Sequence, residues 1–202
     1  MGTRARREKE KENMRLAILE AATKIIIEEG YDNLTMRKIA EAIEYTPTTI
    51  YSYYKDKAQI VDDISRVVYK KIVLSVKTAL EEHKEVSVDQ QLEIGFKAFI
   101  YTLTANAEMS KAVIRSGSRA IFGPDEEHEP PEDNGIMILH NLLLKGQQEF
   151  FFRKLDENIS WMLVTALIGF SINVIENQLH FDENWHELVH IYVEMLIKGL
   201  QK

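Results

Sequence analysis

Two stretches of this chain hold side chains whose types and spacing could do chemistry. The first is Thr35–Lys57, which reads TMRKIAEAIEYTPTTIYSYYKDK. Its hydroxyls and phenols, on Thr46, Thr48, Thr49, Tyr51, Ser52 and Tyr53, suit phosphates and the base edges of a DNA major groove. Thr35, Arg37, Lys55 and Lys57 add a further hydroxyl and three cations. The same residues would also serve as an ordinary solvated face. The second stretch, His186-Glu187-Leu188-Val189-His190, matches H-E-x-x-H, in which two histidines one helical turn apart bind zinc and the glutamate activates water. Chance alone produces this spacing in about one chain of this size in 50. No Gly-x-x-His follows it, and three ligands on one exposed helix face would leave no cleft for a peptide. Surface histidines are the better account, with a regulatory metal or a histidine-bearing interface behind it. No catalytic site, metal site or cofactor is assigned. Acidic pairs such as Glu28-Glu29 and Glu126-Glu127 need only a solvated face or loop.

Two short helices and a turn must position the first group. Thr35 can cap a helix whose apolar face is Met36, Ile39, Ala40 and Ile43, at the i, i+3, i+4, i+7 spacing. Glu44 and Tyr45 break the pattern. Thr46 and Pro47 restart it, as a capping hydroxyl and a proline at the first helical position. Ile50 and Tyr54 then face inward, leaving the hydroxyl-rich face outward. This is the pattern of a helix-turn-helix with its recognition helix.

Upstream, Ala17, Ile18, Ala21, Ile25 and Ile26 stripe a helix that stops at Gly30. Ahead of it Arg4, Arg6, Arg7, Lys9, Lys11 and Arg15 outnumber the acids, which predicts a mobile basic arm able to touch phosphates or a minor groove. A solvated tail is the equal alternative. Downstream, Asp56 and Gln59 resemble a capping box opening a long helix from Ile60 to Leu80, with Lys57 in its first turn poised for a phosphate. Ser87 and Gln90 form another, before Leu92, Phe96, Phe99, Ile100 and Leu103. A shorter helix covers about Met109 to Arg115. An acidic, Pro/Gly-rich loop then runs from Gly117 to Asp133, and helices follow at about 134–151, 156–178 and 182–200.

The chain has 202 residues, enough for one large domain or a small and a medium one, and no cysteine, so disulfides and thiolate sites are excluded. Its net charge of −7 is uneven: residues 1–57 carry +1 and residues 58–202 carry −8. No apolar signal core is visible and no run approaches a membrane span, so the expected home is the cytoplasm, with no membrane partner.

Residues 35–57 resemble the DNA-binding signature of the TetR/AcrR family of transcriptional regulators. Thr35, Ile39, Ala40, Thr46, Thr49, Ile50, Tyr51, Tyr53, Tyr54 and Lys57 fall in register with that pattern, and Gly30, Tyr31 and Thr35 match the exit of its first helix. The resemblance covers about 50 residues. It departs at Glu44, where the family usually has a glycine able to take φ > 0, and at Pro47-Thr48, which replace a polar-Gly pair. It implies an all-α fold of about nine helices. Residues 1–56 would form a three-helix DNA-binding domain, joined by a long helix to an effector-binding and dimerisation domain in residues 57–202. It also implies pairing of the last two helices between subunits.

The apolar content agrees. Both final helices are apolar on more than one face, which calls for burial on two sides, through Phe170, Val174, Leu188, Tyr192 and Met195. Phe96, Phe99, Tyr101, Met109, Phe150, Phe152, Trp161 and Met162 supply material for an effector cavity, or for plain core, with Asn106, Arg115, Asn141 and Gln147 as polar anchors. The expected protein is a homodimeric, ligand-responsive repressor. Its partners would be a palindromic double-stranded DNA operator and a small, apolar effector. A constitutive DNA-binding protein is the runner-up and a zinc metalloprotease the remote third.

Overall fold

A computed structural model describes residues 3–116 and 134–201. Its described residues form nine α-helices and no strand, only an isolated bridge between Phe152 and Gln201. The acidic loop expected at Gly117–Asp133 lies outside the described residues. Contacts divide the chain into two compact units, Met1–Val68 with Glu108–Ser118, and Tyr69–Ala107 with Arg119–Lys202. By contacts the divide falls inside the long helix, between Val68 and Tyr69, and the first unit takes in most of the short helix after Ala107.

The first unit contains α1 (Thr3–Glu29), α2 (Met36–Ala42), α3 (Pro47–Tyr51), the first half of α4 (Lys57–Glu82) and nearly all of α6 (Ala107–Ser116). α1 is longer than the apolar stripe predicts. The expected basic arm is helical from Thr3 onward, because its Arg, Lys and Glu are good helix formers and pair at i, i+4, as Arg6 does with Glu10 at 2.8 Å. Ile18, Ala22 and Ile26 of α1 meet Leu34, Ile39 and Ala40 in a core that excludes solvent entirely. Ile50, Ile60 and Val61 are equally buried.

The second unit is built around α5 (Val88–Ala105), which packs against α7 (Gly135–Gln148), α8 (Ile159–Glu176) and α9 (Trp185–Lys198). Gln90 folds back on Ser87, accepting from its amide at 3.3 Å and from its hydroxyl at 3.0 Å, so this expected capping box forms. α8 corrects the reading that no run approaches a membrane span: its 18 residues have a mean hydropathy of 1.7, long and apolar enough by composition to cross one. Here that apolarity serves packing, burying Leu163, Leu167, Ile168, Val174 and Ile175.

Three of the described non-glycine residues lie in the left-handed region: Gln178 at φ 57 and, in two turns of one kind, Glu44 and Phe150. Glu44 has φ 60 and Phe150 φ 64. Each follows a helix that ends in the same way. The Tyr45 amide donates to Ala40 O at 2.9 Å and the Glu44 amide to Glu41 O at 3.3 Å; Phe151 and Phe150 do the same to Gly146 and Gln147 at 2.9 and 3.2 Å. This is the Schellman termination, in which a left-handed residue lets two amides satisfy carbonyls of the last turn. After Phe150 the chain folds back so that the buried Phe152 ring lies on Gly146, where a Cβ would overlap it.

Candidate nucleic-acid interface and ligand cavity

α2 and α3 are held by local chemistry. The Thr35 hydroxyl accepts from the Lys38 amide at 3.1 Å, capping α2 as its sequence position predicts. Thr46 does not cap α3 through its side chain. Its hydroxyl instead meets that of Thr49 at 3.1 Å, and Pro47 at the first position has no amide to satisfy. Asp56 caps α4, accepting from the Gln59 amide at 3.0 Å. Ile50 and Tyr54 face inward, while Thr46, Pro47, Thr48, Tyr51 and Ser52 are exposed, Tyr51 by 57%. Thr49 and Tyr53 are half-buried at the edge of that face. The outward surface of α3 is therefore short, hydroxylated and uncharged, flanked by the exposed Lys55 and Arg37. Arg37 is engaged by Glu41 at 2.7 Å, and that hydrogen bond raises the pKa of its guanidinium.

Lys57 departs from expectation. It is half-buried, its ammonium 4.3 Å from the centre of the Tyr31 ring and within 3.4 Å of the Tyr31 carbonyl, to which it donates. The cation braces the turn after α1 instead of standing free for a phosphate. A second clamp escaped the sequence reading. The Tyr54 hydroxyl donates to Asp63 at 2.9 Å, and the Arg15 guanidinium lies 5.2 Å above the Tyr54 ring. Burial first, then the Asp63 hydrogen bond, push the Tyr54 phenol up to about 12. Nothing in residue spacing marks this triangle, because its three members come from α1, the segment after α3 and α4.

In the second unit a cavity of about 70 Å³ is lined by four helices. Tyr69, Ile72, Val73 and Val76 of α4 line it, with Leu92, Gly95, Phe96 and Phe99 of α5. Ile136, Leu139 and Leu142 of α7 and Val164 and Leu167 of α8 close it. Of the residues expected to bind an effector, only Phe96 and Phe99 are here. Tyr101 stands edge-on to Trp185 and His186, its hydroxyl 3.1 Å from His186 Nδ1, and so joins α5 to α9. Asn106 closes α5, accepting from Lys71 at 2.9 Å. Arg115 belongs to the first unit and pairs with Asp32 at 2.9 Å. Asn141 and Trp161 are exposed, and Gln147 sits in the last turn of α7. Met109 and Phe152 are core, whereas Phe150 and Met162 are exposed. The polar anchors fail because long-range packing, not residue type, decides which side of a helix meets a void.

The expected interface residues divide likewise. Val174 is buried, and Phe170 stacks on Tyr192 at 3.9 Å while the Tyr192 hydroxyl donates to Ala166 O at 2.7 Å, which joins α8 to α9 within one chain. Leu188 and Met195 remain exposed, and Ile191 and Met162 join them. His186 and His190 do not converge: His190 Nδ1 faces Glu93 at 3.4 Å while His186 faces Tyr101. Among the described residues no three His, Cys, Asp or Glu side chains are gathered as a metal site.

An exposed, hydroxyl-rich second helix after a tight turn, on a three-helix core, is the arrangement of a helix-turn-helix DNA-binding domain. Residues 18–64 match the family model of bacterial regulatory proteins, tetR family. Over 47 residues the chain is 40% identical to the uncharacterized HTH-type transcriptional regulator YdeS of Bacillus subtilis (strain 168), a match spanning 23% of this chain and 24% of that relative's length. The fold extends further. The fatty acid degradation regulator FadR of Bacillus halodurans superposes with a TM-score of 0.67 at 20% identity, over 91% of this chain and 94% of that one. PfmR of Thermus thermophilus, a TetR family transcriptional regulator, does so with 0.60 at 19% identity, over 92% and 96%. A protein of unknown function from Rhodococcus sp. RHA1 reaches 0.69 at 14% identity, over 93% and 95%. Residues 18–64 are thus similar to the tetR family of bacterial regulatory proteins, and over about nine-tenths of the chain the fold is that of these solved structures.

Proposed function

We propose that this protein is a ligand-responsive repressor of the cytoplasm that binds a palindromic operator as a homodimer and leaves it when a small apolar effector occupies the second unit. On this reading residues 1–56 read DNA and residues 57–202 hold effector and partner. The observation that carries it is the outward face of α3, where Thr48 and Tyr51 stand exposed over a fully buried Ile50. A helix so anchored can enter a major groove without rearranging its core, and Thr46, Thr48, Ser52 and Lys55 can reach phosphates or base edges.

Two further features support the reading. Leu188, Ile191 and Met195 lie at i, i+3, i+7 on α9, an exposed apolar stripe suited to a symmetric copy of itself, with Met162 of α8 also exposed and apolar. The cavity is apolar and walled partly by α4, whose earlier turns belong to the DNA-reading unit. A ligand that prefers one conformation of α4 would shift the population that fits DNA. Moving that population from 1:99 to 99:1 takes about 5.5 kcal/mol of differential affinity.

The test is operator binding. Selection from random DNA followed by fluorescence anisotropy should give a palindromic site, and Tyr51→Ala should weaken it by about 1–3 kcal/mol, the worth of one good base contact. Unchanged affinity in a folded variant would remove α3 as the reading element. A monomer in light scattering at micromolar concentration would remove the dimer.

A further inference from the structure

We propose that the cavity of the second unit takes a small uncharged ligand with an aliphatic body and one hydrogen-bond acceptor, and that Tyr69 is the residue that reads the acceptor. This rests on the reading of the cavity as the effector site and goes further by fixing the ligand's chemistry and naming the residue that selects it.

Among the described residues the lining contains no Lys, Arg, His, Asp or Glu. A carboxylate or ammonium placed there would lose its hydration with no counter-charge, a cost that an apolar body cannot offset. Among the described lining residues Tyr69 supplies the one side-chain polar group. Its hydroxyl oxygen accepts from the Gly135 amide at 2.9 Å, and Gly135 also lines the cavity, which places the oxygen at the wall where α4 meets the start of α7. A phenol has one proton to give and two lone pairs. One lone pair is committed to Gly135, and among the described residues the Tyr69 O–H has no acceptor. A half-buried donor in the wall of an apolar cavity is poorly matched until something accepts from it. A carbonyl, ester or ether oxygen does so without bringing charge.

Size follows from volume. A water-sized group needs about 10–15 Å³ of such space, so the cavity holds about five to seven of them, a short chain or a single ring. The ligand's position also matters. Tyr69 is the first residue of the second unit and lies on the helix that both units share. An acceptor that engages its hydroxyl therefore acts directly on α4.

The probes are hexane, 2-hexanone and hexanoate, titrated at neutral pH into the full-length protein and its Tyr69→Phe variant. Isoleucine methyl NMR would report on Ile72 and Ile136 in the wall. The expected result is that 2-hexanone binds wild type and loses about three- to tenfold on Tyr69→Phe, the range for one neutral hydrogen bond. Hexane should bind both proteins alike and hexanoate should bind weakest. A second measurement does not depend on the variant: the carbonyl stretch of bound 2-hexanone, read by infrared on wild type, should fall below its value in hexane. An unshifted stretch, or a ketone indifferent to Tyr69→Phe, overturns Tyr69 as the reader while leaving the cavity a ligand site. Hexanoate binding tightest overturns the uncharged class. No methyl response to any probe at millimolar concentration overturns the effector-site reading as well.

Discussion

The two units of this protein achieve their surfaces by opposite means. In the first, the working face of α3 is set by neighbours in sequence: a cap at Thr35, a left-handed Glu44, a proline at position 47 and inward anchors four residues apart at Ile50 and Tyr54. In the second, the cavity is set by helices far apart in the chain, with Tyr69, Phe96, Leu139 and Leu167 meeting around one void. Local rules shape the first and tertiary packing shapes the second. A change in one turn should therefore act in a graded way in the first unit, while a change of one methyl group in the second should disturb several helices together.

The sharpest way to break this contrast is Gly146→Ala. Ordinarily alanine in a helix is favoured over glycine by about 1 kcal/mol. Here its Cβ would overlap the buried Phe152 ring, so the variant should lose about 1–3 kcal/mol from strain in a packed core. Thermal or urea unfolding measures it, and adding Phe152→Ala should make the double variant less damaged than the sum of the singles. Simple additivity would mean that the ring and the glycine do not meet.

Glu44→Gly probes the other side. Glutamate at φ 60 carries strain of about 1 kcal/mol that glycine does not, partly offset by glycine's larger unfolded entropy. The variant should be stabilised by up to about 1 kcal/mol in urea unfolding, with the turn unchanged. A clear loss of stability would show that the Glu44 side chain contributes more than its backbone costs.

The third test concerns pH. The Tyr54 phenol is raised to about 12 from 10 in the folded state. The unfolded chain thus releases its proton first, so this contribution to stability is intact below pH 10 and is lost as pH rises from 10 to about 12. Tyr54→Phe should flatten that alkaline decline relative to wild type in unfolding curves taken at successive pH values. An equally steep decline would place its cause elsewhere.

Legibility followed the same division. The helix-turn-helix, its caps at Thr35 and Asp56, and the strained Glu44 could be read directly, because each depends on residues within a turn or two. The Thr46 hydroxyl misled because Thr49 competes for it at 3.1 Å, a detail of rotamer rather than of pattern. Lys57 misled because the ring it rests on is 26 residues away. Of the cavity, only Phe96 and Phe99 were foreseen. Tyr101 and Trp161 looked equally suitable, but one faces α9 and the other faces solvent.

The cysteine-free composition and the long α1 together have a practical consequence. At 1.5 Å per residue, the 27 residues of α1 make a rod about 40 Å long. Among the described side chains its first buried one is Ile18, and residues 5–13 are all exposed. A single thiol introduced at Glu12 would be the chain's one nucleophilic sulfur, open to maleimide dyes and seated on a helix rather than on a loose tail. The same background allows a spin label at any other exposed position, so distances within either unit can be tracked without first removing native reactive groups.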